Sequence, residues 1–185
     1  RMELLNDPGA AMPQSPREAV ERYCGLSRLD MIPRTKDKDQ RRTLEEKMRE
    51  IRRQLRMRLE FDKKLKEFAV EIRDFGIGQP PERIHETLLS LGRTDKADKP
   101  YLIGVFGQGG SPTYAASQYS LVVSRRPTQF LDGKLDGIGW TIVKKIIPKG
   151  RRDPYYAYLA SLPDGRVPSI AINDDMAKVF ESGTL

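Results

Sequence analysis

Two glycine-bearing stretches hold the residue types that could do chemistry. The first, Asp74-Phe75-Gly76-Ile77-Gly78, follows Phe68-Ala69-Val70-Glu71-Ile72-Arg73, whose alternation predicts a strand that carries a carboxylate at its end. A carboxylate fixed there accepts a hydrogen bond from an exocyclic amine, and glycines at 76 and 78 let the backbone turn and a flat ring come close. Taken by itself the pattern equally describes an Asp-x-Gly turn. The second stretch, Gly104-Val105-Phe106-Gly107-Gln108-Gly109-Gly110, precedes a predicted short helix near 112–117. Amides bared by glycine ahead of a helix N-terminus cradle anions, phosphate foremost. In isolation the same residues describe a flexible hinge.

Elements must position these stretches. Pro80-Pro81 opens a predicted helix over about 81–91 with Ile84, Leu88 and Leu91 on one face, proline being suited to a first helical turn. Residues 92–110, rich in glycine and polar groups, read as a long loop, and a loop of that length in a compact domain is usually functional. Strands are expected at about 119–124, 138–147 and 155–162. A turn at Pro163-Asp164-Gly165 leads to another near 166–171, and a last one begins at Glu181-Ser182-Gly183-Thr184-Leu185. Upstream, residues 1–40 hold Pro8, Pro13, Pro16 and Pro33 and read as an irregular segment with one short helix at 16–23. Leu44, Met48, Ile51, Leu55 and Leu59 recur at helical spacing and predict one basic amphipathic helix over 41–66. Residues 67–185 then form the core. Strands joined by short turns favour antiparallel pairing, so the expected class is α+β: a two-layer sandwich of a mostly antiparallel mixed sheet with helices on one face.

In that order the motifs resemble those of the GHKL superfamily, which includes DNA gyrase, the large heat-shock chaperones, MutL and MORC proteins and sensor histidine kinases. The resemblance covers about residues 67–185. It pairs an adenine motif of the form Asp-x-Gly-x-Gly (Asp74, Gly76, Gly78) with a lid ending in Gly-x-x-Gly-x-Gly (Gly104, Gly107, Gly109) and a later Gly-Thr (Gly183-Thr184). What it implies is a Bergerat-type ATP-binding fold that takes ATP with Mg2+. Asp74 would read the adenine, Thr184 would belong to the nucleotide-binding set, and Phe106, Gln108 and Gly110 would join the lid glycines over the phosphates. Thr94-Asp95-Lys96 resembles the Ser/Thr-x-Lys element of the chaperone, MutL and MORC branches, which makes Lys96 the phosphate-approaching lysine, with Lys99 as a neighbour able to substitute. Members of the superfamily commonly dimerise, so a homodimer is a further implication.

The superfamily also places a Glu-x-x-x-Asn helix ahead of the adenine motif, its Asn holding magnesium and its Glu activating water. The nearest approach here is Glu3-Leu4-Leu5-Asn6, with Glu3 as catalytic base and Asn6 as metal ligand. Its spacing is three rather than four, and Pro8 ends any helix there. An ATPase in a full-length context is therefore expected to bind nucleotide better than it hydrolyses it when reduced to this chain.

Composition bounds the remaining readings. Cys24 is the one cysteine and His85 the one histidine, which disfavours zinc sites, disulfides and Ser-His-Asp catalysis. His85 itself reads as an ordinary boundary residue and Trp140 as a core one. Asp74-Phe75-Gly76 also spells a protein-kinase tripeptide, but no His-Arg-Asp loop precedes it, and the spacing of Gly104, Gly107 and Gly109 does not fit a dinucleotide fingerprint. No run of about 18 apolar residues occurs, so a cytoplasmic protein that does not enter the membrane is expected. Of the net charge of +7, residues 41–66 carry +6, from eleven basic and five acidic side chains. The alternative function is accordingly a nucleic-acid-binding or helical interaction module that takes DNA or a protein client on this basic segment.

Overall fold

Apolar residues set the strands, alternating with polar ones over 55–62 and running together over 121–123. The computed structural model describes residues 6–7, 9–26, 36–90, 99–100, 111–134, 136–150, 153–161, 163–172 and 183–184. Among the described residues it is an α+β protein with seven strands and a few helices, and every pairing described is antiparallel. The chain groups into two compact units, Arg1–Asp74 with Lys96–Ile103, and Phe75–Asp95 with Gly104–Leu185. Among the described residues no helix is long and apolar enough to cross a membrane.

In the first unit, helix α1 spans Pro16–Cys24. The Ser15 side chain accepts from the Glu18 amide at its start, and Gly25 ends it in a left-handed conformation at φ 63°. Both ends thus carry the residue types that satisfy orphan backbone groups. Helix α2 spans Lys38–Arg53, where the Asp37 carboxylate accepts from the amides of Asp39 and Gln40. Strand β1 then runs over Leu55–Asp62 and pairs with β2, Glu67–Asp74, in a hairpin.

This corrects the single helix expected over 41–66. Leu55 and Leu59 are four apart, a step that fits both a helix face and a strand face. Met57 falls between them and Phe61 two residues beyond, and Arg56, Arg58, Glu60 and Asp62 fill the alternate places. Strict period two is a strand pattern. The turn at 62–66 is local chemistry: Asp62 Oδ1 accepts from the amides of Lys64 and Leu65 at 2.8 and 3.0 Å, and Lys66 takes φ 55°. The ring centroids of Phe61 and Phe68 lie 4.7 Å apart across the hairpin.

In the second unit, β3 (Tyr119–Arg125) and β4 (Gly137–Ile146) pair at the centre. Strands β5 (Tyr155–Tyr158) and β6 (Ser169–Ala171) pair with β4, and β7 (Gly183–Thr184) pairs with β3. The helix expected over 81–91 is shorter. A 3-10 turn at Pro81–Arg83 runs into α3, Ile84–Thr87. A last helix, α4, spans Ser111–Ala115.

Both sets of helical turns lie on one face of the unit's sheet. On that face Val122, Ser124, Thr141 and Val143 are buried. A Cβ at Gly139 would meet Ile84 Cδ1 at 2.4 Å and the Pro81 backbone at 2.9 Å, so only glycine admits this close approach. Nearby, Lys145 Nζ donates to the Ala115 carbonyl at 3.0 Å and Tyr114 Oη to the Leu88 carbonyl at 3.1 Å. The fully buried Thr141 hydroxyl donates to the Leu159 carbonyl at 2.8 Å. On the opposite face Tyr119, Leu121 and Ile142 are exposed.

Candidate functional site

Asp74 is the last residue of β2, half-buried, and the chain runs from it through Phe75, Gly76 and Ile77 to Gly78. The strand-then-glycine arrangement expected from the sequence is thus present. Gly78 is buried with φ 59°. A Cβ there would lie 1.8 Å from the Arg125 carbonyl oxygen and 2.7 Å from the Gly183 carbonyl oxygen. Conformation and space both demand glycine, which explains the residue without any appeal to a ligand.

What holds this bend is a serine in β3. Ser124 and Thr184 face each other directly across β3 and β7. The Ser124 hydroxyl accepts from the Gln79 amide at 2.9 Å, donates to the Gly183 carbonyl at 2.9 Å, and lies 2.9 Å from Thr184 Oγ1. A serine hydroxyl has one proton to give and two lone pairs. With that proton on Gly183, the Thr184 hydroxyl donates to Ser124. Ser124 is fully buried, and its hydrogen-bonding capacity is filled. Gly183 itself takes φ 103°.

Two consecutive arginines flank the cluster. Arg126 Nη2 reaches the Gly78 carbonyl at 3.3 Å and Gln79 Oε1 at 3.0 Å, stapling the residues after the bend to the end of β3. Arg125 grips Asp136 with two bonds, Nε to Oδ1 and Nη2 to Oδ2, each at 3.2 Å, and Thr128 Oγ1 adds a third at 2.8 Å. Burial pushes the Asp136 carboxyl up, but the hydrogen bonds from Arg125 and Thr128 and the Arg125 charge outweigh it and hold the group below the ordinary carboxylate range. Such a forked pair fixes geometry as well as charge.

Of the residues singled out in the sequence, Gly78 and Thr184 are brought into this one cluster. Gly76 sits in the bend between Asp74 and Gly78. Asn6 lies in an exposed turn. Glu3, Thr94, Lys96, Gly104, Phe106, Gly107, Gln108, Gly109 and Gly110 lie outside the described residues. Among the described residues no three His, Cys, Asp or Glu side chains gather in a way that could hold a metal ion. Sequence reasoning missed Ser124, Arg125, Arg126, Gln79 and Asp136. One signal was legible: Ser124 falls on the same alternation as Val122, a hydroxyl in line with core positions, which asks for buried partners.

Comparison of the chain with protein-family models, with curated proteins and with solved structures returned no match.

Proposed function

We propose that this chain is the ATP-binding domain of a GHKL-type ATPase, with the two-layer Bergerat arrangement. One observation carries the reading: the last glycine of Asp-x-Gly-x-Gly lies directly against Gly183 of the Gly-Thr dipeptide, and the Ser124 hydroxyl joins the next residue, Gln79, to both Gly183 and Thr184. Two motifs of the resemblance, far apart in sequence, meet in space.

In this reading the Asp74 carboxylate accepts from the exocyclic amine of adenine, and the bend at Gly76 to Gly78 lets the ring approach backbone. Lys96 and the amides from Gly104 to Gly110 take the phosphates, where closure over a polyanion gains from bared amides and positive charge. Magnesium would neutralise phosphate charge when bound. Glu3 and Asn6 stand three rather than four residues apart with Pro8 close behind, so no step is assigned to a metal or to Glu3, and slow or absent turnover with retained binding is the expected behaviour. The nucleic-acid alternative rested on one basic helix over 41–66. That charge is instead divided between α2 and the β1–β2 hairpin, and no observation favours it.

Calorimetric titration with ATP tests the reading. The wild-type chain should bind, and Asp74→Asn should weaken binding roughly tenfold to hundredfold, because an amide can set a donor against a donor at a cost of about 1–3 kcal/mol. Circular dichroism should show both proteins equally folded. No binding by the wild-type chain, or unchanged affinity in a folded Asp74→Asn, would sink the proposal.

A further inference from the structure

The β1–β2 hairpin presents an unusual surface. Its register sets Met57 opposite Ile72, Leu59 opposite Val70 and Phe61 opposite Phe68, so six apolar side chains share one face. All six are exposed, Met57 at 72% and Phe68 at 71%. Among the described residues β1 pairs with β2 alone and is the edge strand of that pair. An exposed edge strand of eight residues without proline, apolar on one face, is a template for pairing with another chain.

We infer that β1 is the edge through which two copies of this chain pair, antiparallel, about a two-fold axis at Leu59. The argument is charge complementarity. Along the polar face β1 reads Arg56, Arg58, Glu60, Asp62, basic in its first half and acidic in its second. Residues equidistant from Leu59 face each other in such a pair. Arg58 then stands opposite the partner's Glu60, and Arg56 opposite the partner's Asp62. On the apolar face Met57 meets the partner's Phe61, and Leu59 meets itself. All four polar cross-pairs join opposite charges.

No other register does this. An axis at Arg58 or Glu60 sets a charge against its own copy. One at Met57 sets Arg56 against Arg58, and one at Phe61 sets Glu60 against Asp62. An axis between two residues sends every apolar side chain to the charged face. Within one chain Arg58 Nη2 and Glu60 Oε1 already lie 2.9 Å apart, so the pairing assembles these charges into one alternating set. Cross-strand pairs of opposite sign stabilise and like pairs directly opposite destabilise. The inference is independent of the nucleotide reading.

Sedimentation of the full chain tests it. The wild type should dimerise in the micromolar range. Arg58→Glu and Glu60→Arg each place like charges opposite one another twice and should weaken self-association roughly tenfold or more. An equimolar mixture of the two variants should recover it, because each variant then meets its complement. Each variant has lost the Arg58–Glu60 pair within its own chain, so recovery on mixing reports pairing between chains and not restored folding. In a Cys24→Ser background, Leu59→Cys should link to itself on oxidation, since directly opposed Cα atoms fall within disulfide range, whereas Val70→Cys on β2 should not. A monomeric wild type, variants that stay dimeric, or a mixture that stays monomeric would each overturn the proposal, as would failure of the Leu59→Cys variant to cross-link while dimeric.

Discussion

The β1–β2 and β3–β4 pairings are built from similar material and meet opposite fates. Both are antiparallel pairs carrying apolar side chains, which alternate with polar ones along β1 and run consecutively through Leu121, Val122 and Val123 in β3. On β3–β4 one face is covered: Val122 is 6% exposed and Val143 4%, and the Pro81 and Ile84 turn seats against Gly139. On β1–β2 Val70 is 55% exposed and no residue of β1 is buried. Alternation decides which side chains share a face. Whether that face is buried depends on what the chain brings over it, and β3–β4 receives cover from residues far away in sequence. Polar groups follow the same rule. Ser124 and Thr141, inside, have hydrogen-bond partners, whereas the Arg58–Glu60 pair, more than half exposed on both sides, is worth little by itself in water.

The sharpest test of the comparison is Gly78→Ala. A methyl there meets the Arg125 and Gly183 carbonyl oxygens and takes a left-handed φ, so urea unfolding should show a loss of about 3–5 kcal/mol. A loss under about 1 kcal/mol would mean the bend is not held against β3 and β7 as described.

A matched pair of substitutions probes the two faces directly. Val122→Thr adds a hydroxyl to a covered face and should cost about 1–3 kcal/mol. Val70→Thr makes the same change on the open face and should stay within about 0.5 kcal/mol. Equal losses at the two sites would show that the hairpin face is covered in solution, and would break the contrast.

The smallest effect concerns Asp136. Its folded pKa lies below the ordinary carboxylate value, so its contribution is fully present above that value and is lost as pH falls through the depressed one. The side chain is 30% exposed, and solvent screening limits the contribution to at most about 1 kcal/mol. The gap in urea midpoint between wild type and Asp136→Asn should therefore narrow between about pH 6 and about pH 3. A gap that widens with acid would put the shift in the wrong direction.

Much of the strand layout was legible because alternation is a local property. Strands expected at 68–73, 119–124 and 138–147 appear at Glu67–Asp74, Tyr119–Arg125 and Gly137–Ile146. Those at 155–162 and 166–171 appear shortened, to Tyr155–Tyr158 and Ser169–Ala171. The helix over 41–66 misled because a step of four residues satisfies both periods, and Met57 and Phe61 were the residues that should have decided it. At the bend, Gly76 and Gly78 announced themselves by type. Their supports, Ser124 and Arg126, are residue types that occur on any surface, and only their placement gives them a role.

By itself the sequence determined the alternating strands, the capped start of α1 at Ser15, the turn at Asp62 and the sign pattern of β1, because each depends on neighbours within a few residues. Only the tertiary structure decided that Gly78 lies against Gly183, that Ser124 joins Gln79 to Thr184, and that Arg125 closes on Asp136. Those contacts join segments whose separation along the chain carries no local signal, and burying a polar group is tolerable only once its distant partner has arrived.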